Sequence, residues 1–383
     1  MTVNVNGTVA AGWEPVREEF GAFVAAERIS PEAQLAVYHR GRRVVDLWAG
    51  EDTGADTLSG VFSITKGAAH LVVALLAQDG VLELDRPVSA YWPEFTGDGK
   101  EGLTVRQLVA HQAGLVNTDE GFDYEEIADD ALIAARLAGQ KPRWEPGTAY
   151  GYHASVIGAL TGEVVRRATG RSLQEVYEER IRAPFGIDLY MGLPEALGER
   201  WKPVLDTVLT PAQAALRAAG AARAPELQPV AFNQHRDQPM DLVTFANHPR
   251  VRALGPASAG GMGSARGVAA LYAAAIGVLD GRPALLTPRT AAEVARPHGA
   301  ELGPDRVTTE SDHFALGFER QPAVGPAAFG HSGAAGGQGF ADPATGVAYG
   351  YTRRRFGFPG GVAYENGALT AAVLKAAGDA GRG

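Results

Sequence analysis

Val16, Phe20, Phe23 and Val24 recur at helical spacing and predict an amphipathic helix over residues 14–28. In "QLAVYHRGRRVVDLWAG" apolar stretches flank Arg40-Gly41, the pattern of two short strands joined as a hairpin. The run "LVVALLAQ" predicts a helix that opens near Ser63 and stops at Gly80, in the place of a C′ glycine. From about residue 85 to 250 the strand signal fades and helix signals accumulate. Thr104 with Gln107 and Ser172 with Glu175 have capping-box spacing, and Gly139 and Gly170 follow helical patterns as stop signals. Residues 202–254 are the least patterned part, with one Ala-rich helix near 211–219 and then Pro-rich loop. Helical signal returns at Ser264 and at Thr287-Pro288, a cap with proline at the first helical position. Short alternating runs near 314–319, 327–330 and 346–352 predict strands, and residues 364–377 predict a closing helix.

This order places strands at both ends of the chain and helices between them. The expected fold class is α/β of the α+β type, an antiparallel sheet flanked by helices. Residues 1–84 with 255–383 would form that sheet lobe and residues 85–254 a mostly helical lobe, with a small-molecule site in the cleft between.

Composition narrows the chemistry. The 383 residues are 45% hydrophobic and 21% charged, enough apolar material for a sizeable core. A net charge of −9 without a basic stripe argues against a nucleic-acid partner. With no cysteine there is no disulfide framework, thiol nucleophile or Cys-ligated metal. No histidine pair has metal-ligand spacing, so neither a catalytic metal nor a cofactor is expected. "MTVNVNGTVAAGWEPV" lacks the pattern of a secretory leader, and "GVAALYAAAIGVL" is too short and alanine-rich to span a bilayer. The expectation is a cytoplasmic protein with no membrane partner that acts on a small molecule. The pattern does not specify an oligomeric state.

Lysine is scarce: Lys66, Lys100, Lys141, Lys202 and Lys375 are the full set, and arginine carries nearly all the positive charge. In "VFSITKGAAH" Lys66 follows Ser63 by three residues at the start of a helix, which puts both on one face with Cβ atoms about 5–6 Å apart. Unpaired backbone N–H groups and the positive end of the helix dipole lie there too. A neutral lysine could take the serine proton if burial kept it uncharged, which arginine cannot do. The competing reading makes Ser63 an N-cap and Lys66 a solvated first-turn residue.

Two further segments bear on the choice. "EPGTAYGYHASVIGALTGEVV", residues 145–165, sets Tyr150 and Tyr152 after a Pro-Gly turn. "FGHSGAAGGQGFADPATGVAYGY", residues 329–351, carries His331 and then small residues that allow close backbone approach to a ligand. With Ser63-x-x-Lys66, these segments resemble the serine β-lactamase and penicillin-binding-protein superfamily, closest to its class C-like branch, the family VIII carboxylesterases. "LELDRPVSAYWPEF", "LTVRQLVAHQAGL" and "ASAGGMGSARGVAALYAA" extend the likeness over about residues 15–360. The second motif, Tyr-x-Asn, falls on Tyr152, His153 and Ala154. The third, Lys-Thr-Gly, falls on His331, Ser332 and Gly333.

The resemblance implies that Ser63 is acylated, that Lys66 is its proton partner, and that Tyr152 shares the base role as phenolate or relay. It implies an oxyanion hole from the backbone N–H groups of Ser63 and Ala334. His331, Gly333 and Tyr150 would lie on the substrate side, His331 hydrogen-bonding toward Tyr152 or the substrate. Ala154 replaces the second motif's asparagine, and His331 replaces a fixed cation with a group of ordinary pKa about 6.5. Both changes fit neutral acyl esters better than β-lactams, and the histidine suggests pH-dependent activity. The implied function is a serine carboxylesterase. The alternative is an acyltransferase of small-molecule metabolism working through the same acyl-enzyme. β-Lactamase or D-amino-acid peptidase activity, or an inactive binding protein, ranks below these.

Other candidates are weaker. His111 is expected to brace a helix end near the cleft and His70 to pack against the sheet. Arg353 to Arg355 are expected to form a solvated strand end. "GHSGA" superficially resembles a hydrolase elbow at Ser332, but Ala334 stands where that elbow requires glycine, and a helix is not expected behind it.

Overall fold

The computed structural model describes residues 4–311 and 313–381. Its strands are β1 (Asn6–Val9), β2 (Ala33–His39), β3 (Arg42–Ala49), β4 (Ser59–Gly60), β5 (Leu189–Tyr190), β6 (Met262–Gly263), β7 (Glu319–Arg320), β8 (Phe329–Ser332), β9 (Gln338–Asp342) and β10 (Val347–Arg353). The helices that bear on the site are α1 (Glu14–Ala26), α2 (Ile64–Gln78), α3 (Ile157–Thr169), α4 (Ala265–Ile276) and α5 (Glu365–Ala380). The main sheet has the order β1-β3-β2-β10-β9-β8-β7 and is antiparallel throughout. The first and last parts of the chain meet where β2 pairs with β10. The β2–β3 hairpin turns at Arg40 and Gly41, both with positive φ (50° and 77°), as a two-residue primed turn requires.

Alternation along the strands sorts side chains to the two faces. Leu35 and Val37 of β2, with Val347, Tyr349 and Tyr351 of β10, join Phe20 and Phe23 of α1 and Leu369 and Val373 of α5 in one apolar cluster. The opposite face is small. Ala36 packs with Ala265 and Ala269 of α4. A Cβ on Gly350 would fall 2.4 Å from the Ala265 carbonyl oxygen, and one on Gly339 2.4 Å from Val268 Cγ1. Hydrogen at these positions lets α4 lie directly on the sheet.

Helix α2 is enclosed on all sides and is mostly apolar, with Thr65, Lys66 and His70 as buried exceptions. Every residue from Ile64 to Leu76 is buried, and each large aliphatic side chain so placed contributes about 1.5–3 kcal/mol. Its first turn is thereby fixed from every direction.

Five regions depart from the sequence pattern. β1 and the small β4-β6-β5 sheet were not expected, and β5 lies inside the stretch read as helical. The run 314–319 is mostly a turn about Gly317 (φ 78°), with only Glu319–Arg320 in the ladder. β9 occupies the small-residue stretch after His331, where pairing with β8 and β10 overrides the low strand propensity of glycine. Residues 227–254, read as loop, contain helices at Leu227–Ala231, Leu242–Asn247 and Pro249–Leu254, each too short to display a period.

Arg353 and Arg354 are not solvated. Arg353 Nη1 lies 2.8 Å from Glu365 and 3.2 Å from Glu27, and Arg354 Nη2 lies 2.8 Å from Glu32. The Glu32 carboxylate also accepts hydrogen bonds from Ser30, Thr53 and the amides of Glu51 and Asp52, tying β2 to the loop before α2 and to the end of β10. Burial pushes its pKa up, but the bonds from Thr53, Glu51, Arg354 and Ser30 outweigh that and lower it to about 2. Glu32→Ala strands Arg354 as a buried charge, and chemical denaturation should show a loss of about 3–5 kcal/mol. In the wild type, the stability Glu32 contributes is complete above the ordinary glutamate pKa. It should be lost as pH falls from about 4.3 toward the folded-state value near 2, a slope absent in Glu32→Gln.

Candidate active site

Phe62 precedes the candidate nucleophile with φ 52°, a left-handed conformation that costs a non-glycine residue about 1–3 kcal/mol. Its carbonyl accepts from the Thr65 amide (2.9 Å) and the Thr65 hydroxyl (2.5 Å), and its ring meets Phe356 edge-on. This locked turn delivers Ser63 to the start of α2. Ser63 makes no side-chain cap bond there. Its Oγ instead lies 3.1 Å from Lys66 Nζ and 2.8 Å from Tyr152 Oη, so the N-cap reading fails.

Lys66 has 0% exposure, so it is not a solvated first-turn residue either. Its Nζ is 2.7 Å from the Ala154 carbonyl and 2.7 Å from the Ser258 carbonyl. A neutral amine has two N–H groups and one lone pair. The two carbonyls take the N–H groups, which leaves the lone pair for Ser63. Burial depresses the Lys66 pKa to about 7, despite an opposing pull from Glu319. Both acceptors are themselves constrained. Ala154, which lacks the second motif's amide, serves through its backbone. The Ser258 hydroxyl accepts from the Gly158 amide at 2.8 Å, and a Cβ on Gly158 would stand 2.3 Å from the Ser258 nitrogen. Glycine there lets α3 close on this segment.

Tyr152 is held by its backbone and its ring. Its amide donates to Asp305 Oδ1, which also accepts from the amides of Val307 and Thr308. Its ring stacks on Phe314 at 5.3 Å and lies 5.5 Å from His111. Burial, with Glu319 and Asp305 adding to it and Ser63 opposing, drives the phenol pKa well above its ordinary value. The resting group is therefore the neutral phenol, which suits a proton relay and not a phenolate base. His111 Nδ1 accepts from the His153 amide, and His153 bridges Gly151 and Leu115. Both imidazoles brace the tyrosine turn; His111, expected to brace a helix end, sits just past the short helix Val105–Val109 and supports this turn instead. His70 packs its ring edge-on to Phe318.

The third motif behaves differently from expectation. His331 has 0% exposure, and its Nδ1 faces Glu319 Oε1 at 3.2 Å and the Ser332 carbonyl at 3.0 Å, not Tyr152 or the cavity. Burial lowers its pKa to about 4, so it is neutral at pH 7, and the near-neutral titration expected of it falls on Lys66 instead. Gly333 also lies behind the wall. A Cβ there would sit 2.5 Å from the Val61 carbonyl, so glycine is what lets this strand end reach the turn before Ser63. Tyr150 is buried and donates to the Glu310 carbonyl at 3.3 Å, away from Ser63. Ser332 Oγ donates to Glu319, and its strand runs on to β9 rather than a helix, which removes the elbow reading.

Ala334 does reach the site. With Ser63 it lines a narrow cavity whose other walls are Phe62, Ile127, Phe232, Met240, Leu242 and Phe245, together with Ala154, Ser155, Pro256, Ser258 and Ala259. No charged side chain is among them. The amides of Ser63 and Ala334 have no acceptor among the described residues, as an oxyanion hole requires. Among the described residues no cluster of His, Asp or Glu could hold a metal ion, and no helix is long and apolar enough to cross a membrane. Sequence reasoning missed Phe62, Ser258, Asp305 and Glu319, and also the wall from Phe232 to Phe245. A carbonyl acceptor or a strained φ leaves no local pattern.

A family model described as Beta-lactamase matches residues 16–373. The chain belongs to the Beta-lactamase family. Within the Beta-lactamase family it is 33% identical over 343 residues to the esterase/beta-lactamase LipL of Mycobacterium tuberculosis (strain ATCC 25618 / H37Rv), covering 84% of this chain and 76% of that one. Among solved structures, EstA from Arthrobacter nitroguajacolicus Rue61a aligns with a TM-score of 0.83 at 40% identity over 99% of both chains. A family VIII carboxylesterase aligns with a TM-score of 0.83 at 32% identity, over 97% of this chain and 100% of that one. The fold is the α+β arrangement of the Beta-lactamase family that the sequence implied.

Because the base is the uncharged amine, kcat/KM should rise with pH through about 7, the value to which burial lowers Lys66. Lys66→Arg keeps charge but not basicity. It should lose about 10²–10⁴ in kcat, comparable to Lys66→Ala, and a steady-state ester assay decides this.

Proposed function

We propose that the protein is a serine carboxylesterase that acts on small neutral acyl esters through an acyl-enzyme on Ser63. The observation that carries this is buried Lys66 Nζ, 3.1 Å from Ser63 Oγ and 2.7 Å from each of the Ala154 and Ser258 carbonyls, an arrangement that in the neutral amine leaves the lone pair to Ser63. Ser63 Oγ attacks the ester carbonyl and its proton passes to Lys66. The oxyanion forms against the Ser63 and Ala334 amides. As the tetrahedral species collapses, the alkoxide leaves with a proton relayed from Lys66 through Tyr152, which touches Ser63 Oγ. Water then attacks the acyl-enzyme, gives a proton back along the same path, and the acid departs. The names of the relatives, esterases among them, support the same reaction class.

The cavity's apolar, charge-free lining supports neutral acyl groups and offers no cation to a substrate carboxylate. It also favours a second reading, in which a small alcohol in place of water attacks the acyl-enzyme, takes the acyl group and releases Ser63 Oγ, which regains the proton.

With a short-chain p-nitrophenyl ester, a burst and a mass increase located on Ser63 are expected, and Ser63→Ala should abolish both. Full activity in that variant would place the nucleophile elsewhere. Offering the acyl-enzyme a panel of alcohols and amines should leave free acid as the main product, whereas predominant acyl transfer would favour the second reading.

A further inference from the structure

We propose that Glu319 and His313 are a positioning pair that holds the strand leading to Ala334 and sets how readily Lys66 gives up its proton; this rests on the reading of Lys66 as base to Ser63. Glu319 has a side chain only 7% exposed, at the start of β7. Its Oε2 accepts from the Ser332 amide at 2.7 Å and its Oε1 from the Ser332 hydroxyl at 2.8 Å. The same oxygen faces His331 Nδ1 at 3.2 Å and His313 Nε2 at 3.6 Å. A buried carboxylate normally needs a cation, and its basic partners among the described residues are these two imidazoles.

The two imidazoles differ. His331 is enclosed, and its single N–H on Nδ1 already serves Glu319 and the Ser332 carbonyl. His313 is 31% exposed and has a carboxylate at each nitrogen, Glu310 Oε2 at 3.1 Å from Nδ1 and Glu319 beyond Nε2. Only the doubly protonated ring satisfies both. Burial opposes that form, but Glu319, Glu310 and Asp305 outweigh it and raise the His313 pKa. The remaining ring contact on that side is the edge of Phe314.

Lys66 is faced by Ser63, the Tyr152 ring at 4.9 Å and the two carbonyls. His70, His111 and His331 are near enough to feel its charge, and burial pushes all three down, so they are neutral. Glu319 is the charged group whose field reaches Lys66. Negative charge there favours the ammonium, which cannot act as base. A proton on His313 offsets that charge. The third motif itself thus carries no cation, and the positive charge behind Glu319 comes from His313, outside the substrate cavity.

The signs make this testable. Glu319→Gln keeps an acceptor for Ser332 but removes the charge, and the rising limb of kcat/KM for p-nitrophenyl acetate should move to lower pH by about one unit. His313→Gln removes the offsetting cation, and the limb should move to higher pH by a similar amount. Opposite shifts support the pair. Limbs that stay in place while rates fall equally at all pH values would overturn it, because a merely structural role predicts that. Should Glu319→Gln fail to fold, as judged by circular dichroism, the half-exposed His313→Gln decides alone. Ser63→Ala run alongside separates the levels. If it is inert and the limbs do not move, this inference falls and the esterase reading stands; if it stays active, the reading beneath it falls as well.

Discussion

An amine enclosed in apolar protein is the constraint around which this molecule is built. Burial makes the charged form of Lys66 costly, and the Ala154 and Ser258 carbonyls orient what remains. Each carbonyl comes from a different part of the chain, one from the tyrosine turn and one from the segment leading to β6. The geometry of the base therefore exists only in the complete fold. The enclosing helix, the glycine that brings α3 against Ser258, and the strained Phe62 all serve this one arrangement.

Ser63 and Lys66 were legible in the sequence because helical spacing puts them on one face and the resemblance to a known motif chose between the two readings of that spacing. Tyr152 was legible through its resemblance to a known motif, and the structure brings it to 2.8 Å from Ser63 Oγ. What could not be read was anything carried by backbone. Ser258 acts through a carbonyl that every residue possesses, and the amides of Ser63 and Ala334 are likewise anonymous in a sequence. His331 was misplaced for a related reason. Strand alternation can put a side chain on either face, and nothing local announced that Glu319 would draw it inward.

The fold divided in the same manner. Long amphipathic or mostly apolar segments such as α1 and α2 declared themselves by period. β9 did not, because its glycine, Gly339, is explained only by α4 lying on it. Arg353 and Arg354 looked like a soluble strand end until the carboxylates of Glu27, Glu365 and Glu32, distant in sequence, came beside them. Local propensity was overruled wherever a partner arrived from the other end of the chain.

Part of the cavity wall has a separate origin from the proton-moving groups. Met240, Leu242 and Phe245 all come from one contiguous stretch of short helices and loop, and Lys66 finds its hydrogen-bond partners elsewhere. A chain organised this way can exchange its selectivity cassette while leaving its reactive machinery intact. Diversification of acyl preference in such a scaffold would then proceed by repacking a peripheral segment, with little penalty to turnover.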